Sequence, residues 1–464
     1  MAVGVLGLLL MVFIRRLSPA FHFEILFEDT PARTFVALMM LAGGIYLLLF
    51  YLLPKIRDHR TVLAVLFLVG LFSRLAFFGS TPIYEDDWYR YLWDGAVINA
   101  GVNPYSITPA EASILDVPPN DQLAASNPDL NTVKTLGVDQ EYWPEKVNYP
   151  YVTTGYPPLA QAAFAAANRI APFNLDAWRF VLLVFDLAAL FTICALLRQS
   201  GRSYSYAALY WLNPLLIVSA FNAAHMDILL VPFLVGTLLL TTMNKPRVST
   251  LALGAAVAVK LWPIILAPIF YRSWRKNLGE LVIIGICLGA TLILLVGPML
   301  IDFDTDKNGL FAYANSWQRN SFIFPLIVGS LEGILYDPDL FGRAFTFFVT
   351  ASFIVWAAFM SKTEMTKQAA TLLYATLIFF LVSPTGYPWY AIWIFIYLPF
   401  APRLSAGVLV VTLPIYYLRY ALEAADHGSF FDNILVPIEF LPPLCFLFIE
   451  FLRYCWARRE KQSI

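Results

Sequence analysis

The stretch GELVIIGICLGATLILLVGPML, residues 279–300, decides the fold class. It carries one charge, Glu280, and as a helix it is long enough to cross a hydrocarbon core of ~30 Å. Similar runs recur outward from it at about 2–14, 35–53, 61–79, 176–197, 204–221, 226–243, 248–271, 341–361, 368–382, 387–400, 404–421 and 434–456, with a shorter one at 157–171. Lipid offers the backbone no hydrogen-bond partners, so only helices or closed barrels span it. These runs are longer than barrel strands. The chain therefore reads as an all-α, polytopic transmembrane helical bundle of about 12–14 membrane segments.

Composition agrees. Of the 464 residues, 59% are hydrophobic and 14% charged, against roughly 25% charged in soluble domains. Trp and Tyr gather at segment ends, as interfacial belts do. The net charge of −1 gives no footing for nucleic-acid binding. Cys194, Cys287, Cys445 and Cys455 sit in or at the ends of apolar runs without paired spacing, so neither a disulfide framework nor a metal cluster is expected. Arg15 and Arg16 follow the first run, which reads as a short membrane segment, not a cleaved signal peptide.

Basic residues mark the cytoplasmic side. They fall at Lys55, Arg57 and Arg60, Arg198 and Arg202, Lys245 and Arg247, Arg272, Arg275 and Lys276, Lys362 and Lys367, Arg403, and 453–461. Residues 80–155 hold 11 acids and three bases, and 301–340 six acids and two bases, so both loops are placed outside. Both ends of 248–271 are then cytoplasmic, and that run enters and returns, breaking at Lys260-Leu261-Trp262-Pro263. Each arm of about 12 residues is ~18 Å of helix, too short to cross. Segment 157–171 crosses twice or not at all. Arg15 and Arg16 fall outside, against the rule. The chain divides into segments 1–60, a module 61–300 with outer loop 80–155, and a module 301–464 with outer loop 301–340. The first outer loop, rich in Tyr and Trp, reads as folded on the membrane surface with juxtamembrane helices.

The densest polar signal is YEDDWYRYLWDG, residues 84–95, followed by Asn103-Pro104-Tyr105. A helix from Asp86 puts Asp87, Tyr91 and Asp94 on one face, with Trp88, Leu92 and Trp93 along the membrane. Three adjacent acids, Glu85, Asp86 and Asp87, repel one another and raise at least one pKa. A carboxylate held there suits a general base acting on an acceptor hydroxyl. Acids at a helix N-terminus are equally favoured by the macrodipole.

The run Asp-x-Tyr-Arg-Tyr-x-Trp-Asp-Gly from Asp87 to Gly95, with Asn-Pro-Tyr after it, resembles the first outer loop of GT-C membrane glycosyltransferases, above all the polyprenol-phosphate-mannose-dependent mannosyltransferases. Tyr156-Pro157-Pro158-Leu159 is similar to the Tyr-Pro-Pro-Leu that opens the family's next helix. His225-Met226-Asp227 resembles its Gly-His-x-Asp, Lys260-Leu261-Trp262-Pro263 its Lys-Leu-Tyr-Pro, and 383–390 its Ser-Pro-Thr-x-His-Pro-Trp-Tyr. The matches keep the family's order from 84 to 390. They imply an inverting transferase that moves a hexose, foremost mannose, from a polyprenyl-phosphate-linked donor to a glycan or glycolipid acceptor. Asp87 matches the family's base, with Asp86 as the alternative. Arg90 and Tyr91 would contact substrate, and no cofactor or divalent metal is implied. The setting is a bacterial cytoplasmic membrane with the site on its outer, periplasmic face, among membrane lipid. Two departures stand out: Tyr387 replaces a frequent His, and Arg319 replaces an apolar residue.

Lys260 is costly at bilayer depth, by ~2.5–3.5 kcal/mol, and reads either as a contact to the donor phosphate or as a snorkelling side chain. Arg319 is a second phosphate candidate, or else pairs with a loop acid. His225 and Asp227 bind sugar hydroxyls, orient the base, or form a hydrogen-bonded turn; one His and one Asp are too few for a metal site. Trp389, Tyr390 and Trp393 suit a sugar or acceptor platform, interfacial anchoring explains them as well, and Tyr387 joins Trp389 as a candidate substrate contact. Asp186 reads as bonded to a neighbouring helix. The alternative function is a transporter or flippase of a lipid-linked sugar, which would show paired interrupted segments in two halves.

Overall fold

The structure, a computed structural model, describes residues 1–22, 24–56, 58–113, 128–137, 143–274, 277–301, 307–360 and 363–462. Arg57, Arg275, Lys276 and Lys362, and among the acids counted in the two outer loops Asp116, Asp121, Asp139, Glu141, Asp302, Asp304 and Asp306, lie outside the described residues. The chain is 77% helical, without strands among the described residues. Among the described residues, eight helical stretches have the length and hydropathy to cross a membrane: Ala2–Phe21, Ala32–Lys55, Leu175–Gln199, Leu278–Leu295, Pro338–Met360, Met365–Val382, Leu404–Ala424 and Gly428–Ala457. Pro214–Asn222 and Met226–Thr242 make a ninth if taken together. The chain is an integral membrane protein.

The count of 12–14 was of membrane segments, with 248–271 and 157–171 already set apart from full spans. Several runs fold as short helices, among them Arg60–Leu75, Pro158–Ile170 and Pro246–Val259. At 1.5 Å per residue, the 13 residues of Pro158–Ile170 reach only ~20 Å, so this segment does not cross as one straight helix.

Two compact units share the chain. One comprises Met1–Tyr84, Ile193–Asn222 and Gln318–Ile464; the other comprises Glu85–Thr192 and Ala223–Trp317. In the first, Gly43 of the Ala32–Leu52 helix meets the Val410 backbone so closely that a Cβ would sit 2.7 Å from its carbonyl oxygen. Arg74 is fully buried there, donates to the carbonyls of Gly70 and Trp211, and lies 3.5 Å over the Trp211 ring. Nη1 with two carbonyl acceptors and a face covered by an aromatic ring offset part of the cost of burying this guanidinium.

Two helix pairings of the second unit bear on the polar residues singled out above. The Asp87–Asn99 helix packs against Pro158–Ile170 through Gly95, where an added Cβ would stand 2.3 Å from the Phe164 carbonyl oxygen. That packing buries Leu92 and Trp93 (0% and 1% exposed), which corrects the expectation that they lie along the membrane. The reason is steric: glycine lets a second backbone close over the face that hydropathy assigned to lipid.

The other pairing is a hairpin. The Pro246–Val259 helix stops at Lys260, which is extended, and the chain resumes through Trp262–Leu266 into Ala267–Trp274. Trp274 Nε1 lies 3.1 Å from Thr241 Oγ1 and 3.2 Å from Ser249 Oγ, at the start of the first arm. Arg247 also makes a two-point ion pair with Glu280, at 3.1 and 2.9 Å. The two ends therefore meet, with Lys260 at the break between the arms.

Candidate active site

The acidic loop enters its helix through a sharp turn. Tyr84 adopts φ +63°, a left-handed conformation costing roughly 1–2 kcal/mol in a non-glycine residue. It is held within its own unit by a ring stack on Tyr420 at 4.5 Å and by a hydroxyl contact with Thr30. The helix begins at Asp87, where a carboxylate is favoured by the exposed N–H groups.

Asn148 and Tyr91 fix that carboxylate. Asn148 Nδ2 donates to Asp87 Oδ1 at 2.8 Å and to Asp86 Oδ1 at 2.9 Å. The Tyr91 hydroxyl, one helical turn on, donates to Asp87 Oδ2 at 3.3 Å. Arg90 brings Asn148 into reach. Its Nη2 donates to the carbonyls of Asn148, Tyr149 and Val152, at 3.3, 2.9 and 3.2 Å, so the buried guanidinium clamps the loop whose amide holds both acids.

His225 approaches from the break between Asn222 and Met226. The turn depends on Ala224 at φ +60°, whose carbonyl accepts from buried Trp178 Nε1 at 2.8 Å. His225 Nδ1 lies 3.5 Å from Asp87 Oδ2 and its Nε2 3.3 Å from Glu85 Oε2. Beside it, Lys260 Nζ pairs with Asp227 Oδ1 at 2.6 Å. The side chains of His225, Asp227 and Glu85 are 0%, 1% and 5% exposed, whereas Asp87 and Lys260 retain 26% and 19%. Asp87 and Lys260 are thus the members open to solvent, while the others lie behind them.

Electrostatics separate the two aspartates. Burial alone would raise Asp87, but contact with His225, the Asn148 amide and the charge of Lys260 outweigh it and hold its carboxyl below the ordinary 3.8. Asp86 is exposed at its surface yet crowded. Desolvation, then the like charges of Asp87 and Glu85, push it up to about 7. Further along the helix, burial raises Asp94, partly offset by Arg90, Thr154 and Gln161. Gln161 Nε2 donates to Asp94 Oδ2 at 2.9 Å and to Thr154 Oγ1 at 2.8 Å, tying the first helix to the second.

Asp86, Asp87, Arg90, Tyr91, His225, Asp227 and Lys260 thus come together in one unit. Arg319, Tyr387 and Trp389 lie in the other. The Arg319 backbone donates to the Pro384 carbonyl at 3.0 Å and accepts from Gly386 at 3.0 Å, and its side chain is exposed. Tyr387 stacks on Trp389 with centroids 4.5 Å apart and planes within 7°. Asn148 and Gln161 escaped the sequence reading because nothing in their local sequence marks them; only the Arg90 clamp and the helix pairing bring them in. Glu85 was legible as an acid but not as a partner of His225. Among the described residues no group of three or more His, Cys, Asp or Glu is arranged to hold a metal ion.

Residues 1–276 match the family model described as alpha-(1->6)-mannopyranosyltransferase, N-terminal domain, a span that includes the whole Glu85–Lys260 cluster. No curated protein and no solved structure matches the chain.

Proposed function

The chain belongs to the alpha-(1->6)-mannopyranosyltransferase family, and from that premise we propose that it is a GT-C enzyme transferring mannose from a polyprenyl-phosphate carrier to a glycan or glycolipid acceptor. The observation that carries this reading is the Asp87 carboxylate: ionised at neutral pH, fixed by Asn148 and Tyr91, and partly open to solvent. An acceptor for a 1→6 linkage presents a primary hydroxyl. Asp87 takes that proton while the oxygen attacks the anomeric carbon, and the bond to the carrier phosphate breaks with its electron pair. Attack from the opposite face inverts the centre, so an α product calls for a β-linked donor.

The leaving phosphate gains charge, the point at which electrostatic stabilisation counts most. Lys260, held by Asp227 and still partly exposed, is the cation we assign to it. Positioning and charge account for the step without a metal, so transfer is expected to persist under chelation. The basic flanks and acidic loops support an outward-facing site, which in a bacterium would meet the periplasm.

The test is transfer of radiolabelled mannose from polyprenyl-phosphate-mannose by the purified protein in lipid. Asp87→Asn keeps the shape and should lose at least ~10²-fold in kcat, the range for a missing general base. Asp86→Asn should stay within about tenfold, since its carboxyl, pushed up to about 7, is only partly ionised near neutrality and is not the assigned base. Full activity in Asp87→Asn would overturn the assignment of the base.

A further inference from the structure

Glu85 has no part in the step above, yet it is buried against the ring that touches the base. His225 is wholly enclosed, with Asp87 Oδ2 at 3.5 Å from one nitrogen and Glu85 Oε2 at 3.3 Å from the other. A neutral imidazole donates from one nitrogen and accepts at the other, whereas an ionised carboxylate only accepts. Carboxylates facing both nitrogens are satisfied together only by the imidazolium, which donates twice.

We propose that Glu85, His225 and Asp87 form a carboxylate–imidazolium–carboxylate bridge in which Glu85 is a positioning residue for the base. Glu85 holds His225 charged, and the charged ring keeps Asp87 ionised and turned toward the acceptor. This rests on Asp87 being the base.

The surrounding charges support the bridge. Asp227 and Lys260 face the same region and pair with each other, so Lys260 offsets the neighbouring acids only in part. Farther along the helix, Arg90 and Asp94 are likewise of opposite sign. That leaves three consecutive acids, Glu85, Asp86 and Asp87, sharing one imidazolium. The acid not facing the ring, Asp86, is the one whose carboxyl is pushed up to about 7. A proton taken from the acceptor must then stay on Asp87 and leave through its exposed edge, because the ring already carries both of its protons. This differs from a serine-protease triad, in which the histidine is itself the base.

The bridge can be read without turnover. The chain has four histidines, His22, His59, His225 and His427, so nitrogen-15 spectra of histidine-labelled protein in lipid discs are tractable, with His225 assigned by its loss in His225→Gln. In the wild type His225 should remain imidazolium at pH 8, well above an ordinary histidine pKa of about 6.5. Glu85→Gln should lower its titration midpoint by about a unit or more, and kcat/KM should gain an inflection between about pH 6 and 8 that the wild type lacks. Asp87→Asn removes the other carboxylate and should lower the midpoint as well, which keeps the test open if Glu85→Gln does not fold. A neutral His225 in the wild type at pH 7, or a midpoint unmoved by both substitutions, overturns the bridge. Intact titration shifts with undiminished transfer by Asp87→Asn would instead strike the assignment of the base.

Discussion

At the residue scale, the neighbouring aspartates behave as opposites because their partners differ. Asp87 has Asn148, Tyr91 and His225; Asp86 shares Asn148 and otherwise faces like charge. The folded pKa of Asp86 is raised, so its ionised form costs stability that is absent near pH 4 and fully present above about pH 7. Asp86→Asn keeps an acceptor for Asn148 and removes that cost. Its thermal midpoint should gain on the wild type as pH rises from 5 to 8, and a difference independent of pH would refute the crowding argument. The Lys260–Asp227 pair makes a second case. Lys260→Met leaves Asp227, 1% exposed, without its cation and should cost about 3–5 kcal/mol, whereas Lys260→Met with Asp227→Leu should recover much of the loss. Unfolding in detergent distinguishes the two, and equal losses would mean the pair is not the source. Asp87, His225 and Lys260 were visible as chemistry-bearing residues in the sequence. Their arrangement was not, because His225 and Lys260 reach Asp87 through two helix breaks more than a hundred residues downstream in sequence.

At the element scale, two interruptions build the site: Ala223 to His225, and Lys260 with Leu261. Each frees a polar side chain that a continuous apolar helix would have aimed at lipid or packed into neighbours. The pairing of Asp87–Asn99 with Pro158–Ile170 is equally demanding. Gly95→Ala would set a methyl 2.3 Å from the Phe164 carbonyl oxygen and 2.6 Å from its carbon. Backbone cannot rotate out of the way, so the cost should reach or exceed the ~1–3 kcal/mol of ordinary overpacking. Transfer activity should fall with it, because the same helix carries Asp87 and Asp94. An active Gly95→Ala variant of unchanged thermal midpoint would refute the argument that this close approach requires glycine.

At the scale of the whole molecule, orientation decides which solution meets the site. The hairpin closed by Trp274 on Ser249 and by Arg247 on Glu280 requires its two ends to share one face of the membrane. Single cysteines at Asn244 and Asn277, in a background lacking the four native ones, should react with an impermeant reagent from the cytoplasmic side. Tyr151→Cys, in the acidic loop where Tyr151 is 78% exposed, should react from the outside. Labelling of Asn244→Cys and Asn277→Cys from opposite faces would sink the hairpin, and cytoplasmic labelling of Tyr151→Cys would sink the outward orientation.

The sequence by itself determined that this is an all-helical membrane protein, because apolar run length and the cost of unpaired backbone in lipid admit no other class. It also marked Lys260 as the place where a helix breaks, since a lysine followed by Leu-Trp-Pro ends an apolar run on both counts of charge and ring geometry. Tertiary structure alone decided that Leu92 and Trp93 face protein, because one glycine lets two backbones touch. It alone also decided that Asn148 serves the acids and that Glu85 meets His225. Hydropathy and motif spacing report what each residue can do over a few neighbours. Which carboxylate meets which nitrogen depends on distances set by packing across 140 residues of chain, from Glu85 to His225, which no local pattern encodes.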